Sequence, residues 1–219
     1  MTVVHPAKQT AQPAASQAEA SVAELSELFE RNRAWAKRKT QNDPDFFQRL
    51  VAQQRPRYFW IGCSDSRVPA TEIVDLDPGE MFVHRNVANL ANPSDPNFAA
   101  VLQFAVDVLE VSHIIVVGHY GCGGIRAAMH ETVDDPIGRW LAPLREIYDR
   151  QAASLKGEDA GANGLCRHNV ELQVAALAGN TIVNSAWSRG AALTIHGWVY
   201  AIGDGYLQPV CPPIGAATS

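Results

Sequence analysis

No apolar run in the 219 residues approaches the roughly 18 needed to cross a bilayer, so no membrane-spanning helix is expected. Basic residues are few: 18 Lys and Arg stand against 23 Asp and Glu, a formal net charge of −5. The clustered basic face that a nucleic-acid partner demands is missing, and no such partner is expected. Cysteine is scarce as well. Cys63, Cys122, Cys166 and Cys211 are too few for a disulfide framework in a chain of this length, and read as ligands or inert thiols of a reducing compartment. With no apolar leader segment near the start, a cytoplasmic location is expected. There is no internal repeat.

What is present is a globular composition, 47% apolar and 19% charged, with enough chain to bury a sizeable core. Residues 1–20 are rich in Ala, Gln, Ser, Thr and Pro without periodicity and predict a flexible tail. The remainder, 21–219, reads as one domain whose first part, 21–55, is a helical arm. In that arm Val22, Leu25, Leu28, Phe29 and Trp35 recur at near-helical spacing from a start at Ser21, and Asp43-Pro44 opens a second short helix. Strands are predicted at 57–62, 81–84, 113–118 and 192–200, and helices at 98–110, 137–156 and about 164–188, with 157–164 a loop. This alternation predicts an α/β fold, a mostly parallel central sheet flanked by helices. Ligands of such sheets bind outside the carboxyl ends of the strands.

Two of the predicted strands end alike. Tyr58-Phe59-Trp60-Ile61-Gly62 runs into Cys63-Ser64-Asp65-Ser66-Arg67, and His113 to Gly118 runs into His119-Tyr120-Gly121-Cys122. Thiolate and imidazole are the donors zinc prefers, and catalytic zinc sites use three protein ligands. His119-x-x-Cys122 spans a turn and a helix start, with glycines that let the backbone fold tightly; Cys63 supplies a third donor. Asp65 is either a fourth ligand or an outer hydrogen-bond acceptor, and Arg67 can hold it away from the metal by a charge-assisted pair. The cysteine-phosphatase cradle is excluded, because it needs five residues between Cys and Arg and only Ser64 to Ser66 intervene.

Cys-Ser-Asp-Ser-Arg at 63–67 and Gly-His-Tyr-Gly-Cys-Gly-Gly at 118–124 resemble the two signatures of the β-class carbonic anhydrases. The blocks Phe82 to Asn89 and Thr194 to Tyr200 are similar to further family segments, so the resemblance covers about residues 25–208. It implies one zinc per subunit on Cys63, His119 and Cys122, an Asp65–Arg67 catalytic dyad, and reversible hydration of CO2 to bicarbonate and a proton by hydroxide formed on the metal. It also implies a homodimer or homotetramer in which N-terminal helices wrap the partner. In some bacterial members a Trp, an Arg and a Tyr form a non-catalytic bicarbonate pocket that favours Asp65 as fourth ligand and closes the site at low pH. Trp60, Arg85 and Tyr200 stand at the matching positions. The same scaffold acting on CS2 or COS, or a zinc module without activity, is the alternative.

Overall fold

The computed structural model describes residues 14–130, 134–151 and 158–216. Two compact units meet in the sequence at Gln53/Gln54. The N-terminal unit contains helices α1 (Ala14–Asn42) and α2 (Phe46–Ala52). Helix α1 starts seven residues before the expected Ser21. No Gly or Pro interrupts the chain between Pro13 and Pro44, and Ala, Gln and Glu propagate a helix well. Of the expected 1–20 tail, residues 14–20 are therefore helical, and 1–13 lie outside the described residues. Pro44 sits in the turn before α2 rather than at its first position. There Asp43 pairs with Arg49 and Trp35 meets Phe47 edge-on at 5.6 Å. Val22, Leu25, Leu28 and Phe29 of α1 are each more than half exposed.

The second unit is built on five strands: β1 (Tyr58–Cys63), β2 (Met81–Asn86), β3 (His113–His119), β4 (Thr194–Ala201) and β5 (Tyr206–Ile214). Their order is β2-β1-β3-β4-β5, parallel through β4, with β5 antiparallel to β4. Continuous apolar runs such as Ile114 to Val117 suit strands covered on both faces. Phe59, Ile61, Ile114 and Val116 pack into the main core with Phe98 and Val170. On the opposite face Trp60, Ile115 and Val117 pack with Val68 and Ala70. The chain runs from β1 outward to β2, then back past β1 to β3. Strand order thus reverses between β1 and β3, and Cys63 and His119 are the last residues of those two strands. The crevice that topology assigns to ligands lies there.

The helices of this unit are α3 (Pro96–Gln103), α4 (Gly123–Ala128), α5 (Pro136–Gln151), α6 (Glu158–Ala178) and α7 (Thr181–Ser188). Helix α3 is capped by the Asp95 carboxylate and continues into a π-helical turn over Phe104–Val108. Residues 158–164, expected as loop, form the first turns of α6: burial of Ala162 and Leu165 overrides the helix cost of Gly161 and Gly164. The helix expected to continue to 188 breaks at Gly179, where Asn180 accepts the Ile182 N–H and starts α7. Strand β5 was hidden by Pro209, Pro212 and Pro213, which are tolerated because the strand lies at the sheet edge. Among the described residues no helix is long and apolar enough to cross a membrane.

Two histidines of this unit are set against protonation. Burial lowers the pKa of His84, whose Nε2 lies 3.1 Å from the Asn86 amide nitrogen. Burial, and then the neighbouring His113, lower that of His196, whose Nε2 is 3.1 Å from His113 Nδ1. An unfolded histidine takes up its proton near pH 6.5, so these two favour the folded state above that pH, and the stabilisation is lost as pH falls through their lower folded values. The melting temperature should drop between about pH 7.5 and about pH 5.5, and drop less in His196→Gln. An equal drop in parent and variant would contradict this reading of His196.

Candidate metal centre

Cys63 leaves β1 and His119 leaves β3 side by side. Gly121, at φ +71°, then turns the chain so that Cys122 can precede α4. The positive φ is why a glycine stands there. The donor atoms of Cys63, His119 and Cys122 all lie within 4.8 Å of one another, and all three residues are buried. The two sulfurs are 3.8 Å apart. The His119 ring is fully buried, and its Nδ1 is 3.2 Å from the Tyr120 carbonyl, which can only accept. Nδ1 therefore carries the proton, and Nε2 keeps a lone pair that has no hydrogen-bond partner. A buried lone pair without a donor, beside two thiols, is the environment of a metal ligand.

The thiols are electrostatically matched to a cation. The hydrogen bond from Cys122, followed by those from the backbone N–H groups of Ala88 and Asp65, lowers the Cys63 pKa. The Cys63 thiolate in turn raises that of Cys122. One proton is shed readily and the second is held by its neighbour's charge, so a dication that displaces it has two thiolates to bind. Two sulfurs and one imidazole nitrogen fit zinc, and the set leaves a fourth tetrahedral position.

Asp65 follows two residues after Cys63, and Arg67 grips it. Arg67 Nε and its backbone N–H both donate to Asp65 Oδ1 at 2.9 Å, and a terminal guanidinium nitrogen donates to Oδ2 at 2.7 Å. This pairing holds the Asp65 carboxyl well below the usual carboxylate range. Arg67 also donates to the Gly121 carbonyl at 3.2 Å, tying the two strand-end motifs together. Asp65 Oδ2 stands 3.7 Å from His119 Nε2.

Trp60, Arg85 and Tyr200 fall on one face of the sheet by register, because Trp60 pairs with Val83, Arg85 with Gly62 and Tyr200 with His119. The Trp60 indole is fully buried and folds over Gly62, where an added Cβ would lie 2.2 Å from Nε1. That Nε1 has no acceptor. Arg85 donates from Nε to the Cys63 carbonyl at 2.8 Å and from a terminal nitrogen to the Asp65 carbonyl at 2.5 Å. It thus braces the Cys63–Asp65 loop, a contact that spacing along the chain gave no sign of. Cys166, which is not one of the three donors, donates its thiol to the His119 carbonyl at 3.3 Å; burial pushes that thiol up to about 12, so it stays protonated. His113, His130, His168 and His196 contribute no donor to the cluster.

The family model described as "Carbonic anhydrase" matches residues 58–207. A carbonic anhydrase of Emericella nidulans is 40% identical over 184 residues, covering 83% of this chain and 81% of the relative. Among solved structures, the β-carbonic anhydrase of Coccomyxa in complex with acetazolamide superposes with a TM-score of 0.84 at 38% identity, over 88% of each chain. A tetrameric β-carbonic anhydrase of Sordaria macrospora superposes with a TM-score of 0.83 at 34% identity, over 88% of this chain and all of the other.

Proposed function

This chain belongs to the β class of the carbonic anhydrases, and on that premise we propose that it catalyses the reversible conversion of CO2 and water to bicarbonate and a proton, with zinc held by Cys63, His119 and Cys122. The observation that carries the proposal is the buried cluster of those three donors with His119 Nε2 left unpartnered. Zinc bound there supplies a Lewis acid that lets water ionise near neutral pH. The chain's own part is to orient. Asp65, kept ionised by Arg67, accepts a hydrogen bond from the attacking water and turns its lone pair toward the carbon of CO2. Arg67 fixes Asp65 through two parallel N–H donors and carries the brace to Gly121. Catalysed CO2 hydration above neutral pH, abolished by a chelator and restored by zinc, is the expected result. A zinc-loaded protein that leaves the uncatalysed rate unchanged would overturn the proposal.

The regulatory half of the proposal has Asp65 exchange Arg67 for the metal as a fourth donor, which closes the site. Bicarbonate held by Trp60, Arg85 and Tyr200 would favour that exchange. The unpaired Trp60 N–H supports this reading, since a buried donor without an acceptor is rare and an anion would satisfy it. Bicarbonate should inhibit the parent. Trp60→Phe, which removes the indole N–H, and Tyr200→Phe, which removes the hydroxyl, should each weaken that inhibition about tenfold, the worth of a hydrogen bond to a charged group. Undiminished sensitivity in both variants would remove the pocket from the account. The proposed assembly is a homodimer or homotetramer, supported by the uncovered apolar stripe of α1. A cytoplasmic location remains part of the proposal.

A further inference from the structure

Strand β3 stays paired with β4 to its last residue but leaves β1 early. Its register with β4 runs to His119–Tyr200, and that with β1 stops at Gly62–Val117. The peptide joining His119 to Tyr120 therefore stands beyond the β1 ladder. Its N–H donates to the Tyr200 carbonyl at 3.1 Å. In a trans peptide the carbonyl faces the opposite way, so the His119 oxygen turns away from β4, on the side where the β1 ladder has ended. His119 is fully buried, and a buried carbonyl needs a donor. Helix α6 supplies one, the Cys166 thiol at 3.3 Å. That approach depends on Gly118. A Cβ there would lie 2.8 Å from Val170 and 3.0 Å from the Cys166 sulfur, so a side chain at this position would drive the thiol off. The next residue of the helix reaches the same segment: Arg167 donates to the Tyr120 hydroxyl at 3.3 Å.

This segment carries the acceptor that sets the His119 ring. His119 Nδ1 lies 3.2 Å from the Tyr120 carbonyl, a contact that puts the proton on Nδ1 and leaves Nε2 to face the two thiols. We infer that Cys166 is a positioning residue for His119: by holding the His119 carbonyl it fixes the 119–120 peptide, and with it the Tyr120 carbonyl that selects the Nδ1–H tautomer. Arg167 restrains the same residue, Tyr120, from its hydroxyl. A thiol is a weak donor, yet its removal leaves a buried carbonyl without a partner, which costs more than the bond itself contributes. A cysteine that only filled space would, when shortened to alanine, cost stability and leave the ring as it was.

The inference rests on the metal reading of Cys63, His119 and Cys122, and its first readout is taken without metal so that the two fail separately. Full-length zinc-free protein carrying isotopically labelled histidine is followed by nitrogen NMR at mildly alkaline pH, above the ordinary histidine range. The His119 ring signals are assigned by their loss in His119→Gln. The parent should show a single tautomer, protonated at Nδ1. Cys166→Ala should show a mixture in which the Nε2–H form is populated. Its zinc affinity, measured by chelator competition, should fall about tenfold, the low end of the cost of losing an outer partner of a ligand. Tyr120→Phe, the loss of one hydroxyl at a half-buried residue, should move both readouts the same way by less, and carries the test should Cys166→Ala not fold. A lower melting temperature with the parent's tautomer and zinc affinity would mark a packing role and overturn the inference, in Cys166→Ala or, where only that variant folds, in Tyr120→Phe. A parent protonated at Nε2 would overturn it as well. A parent with the expected tautomer that binds no zinc would instead overturn the metal reading alone.

Discussion

Cys122→Ser should fold without zinc and without CO2 hydration activity. A serine hydroxyl stays protonated at neutral pH and is not among the donors that zinc sites use, so the change leaves Cys63 and His119 as a two-donor site. Losing an outer hydrogen-bond partner of a ligand costs about 10- to 100-fold in metal affinity, and losing the ligand itself must cost more than that. Removal of the thiol also releases Cys63 from the hydrogen bond that contributes most to its thiolate character. Metal binding contributes to folding free energy, so the parent's melting temperature should fall when a chelator is added, while that of Cys122→Ser should not respond. Stoichiometric zinc in purified Cys122→Ser would refute the ligand assignment.

Asp65→Asn should keep zinc and lose most activity. Asp65 is not one of the three clustered donors, so the metal has no reason to leave. In the proposed mechanism, however, the carboxylate is the acceptor that aims the attacking water, and it is held by two charge-assisted bonds that an amide cannot reproduce. Misplacement of a reacting group by about 1 Å costs on the order of 10²-fold, and a loss of that size or more in kcat is expected. The direction of its pKa adds a second expectation. Because Arg67 keeps the carboxyl well below the ordinary range, Asp65 stays ionised at mildly acidic pH, and a loss of activity there cannot come from its protonation. Parent-like kcat in Asp65→Asn, or loss of its zinc, would remove Asp65 from the proposed role.

The three clustered donors, Cys63, His119 and Cys122, were legible because each is encoded locally. An apolar run ending in glycine predicts a buried strand and its end, and the donors come directly after it. Strand order supplied the missing step, since only the reversal between β1 and β3 makes Cys63 and His119 neighbours. The hold of Cys166 on His119 was not legible. The two lie 47 residues apart, and nothing in either segment signals a carbonyl met by a buried thiol. Arg85 shows the same limit: its grip on the Cys63 and Asp65 carbonyls depends on β2 lying beside β1. Strand β5 and the first turns of α6 were missed for a different reason. Pro and Gly are read as breakers, yet an edge strand tolerates prolines and a buried helix face outweighs the cost of two glycines.

The central claim is that Cys63, His119 and Cys122 together hold one zinc and that this metal makes the chain a CO2 hydratase. Its most direct test is to strip the protein of metal, return zinc in steps, and measure bound zinc and CO2 hydration on the same samples. Activity rising in proportion to zinc and levelling at one per chain is the predicted result. Zinc bound at one per chain with no hydration at any step would contradict it.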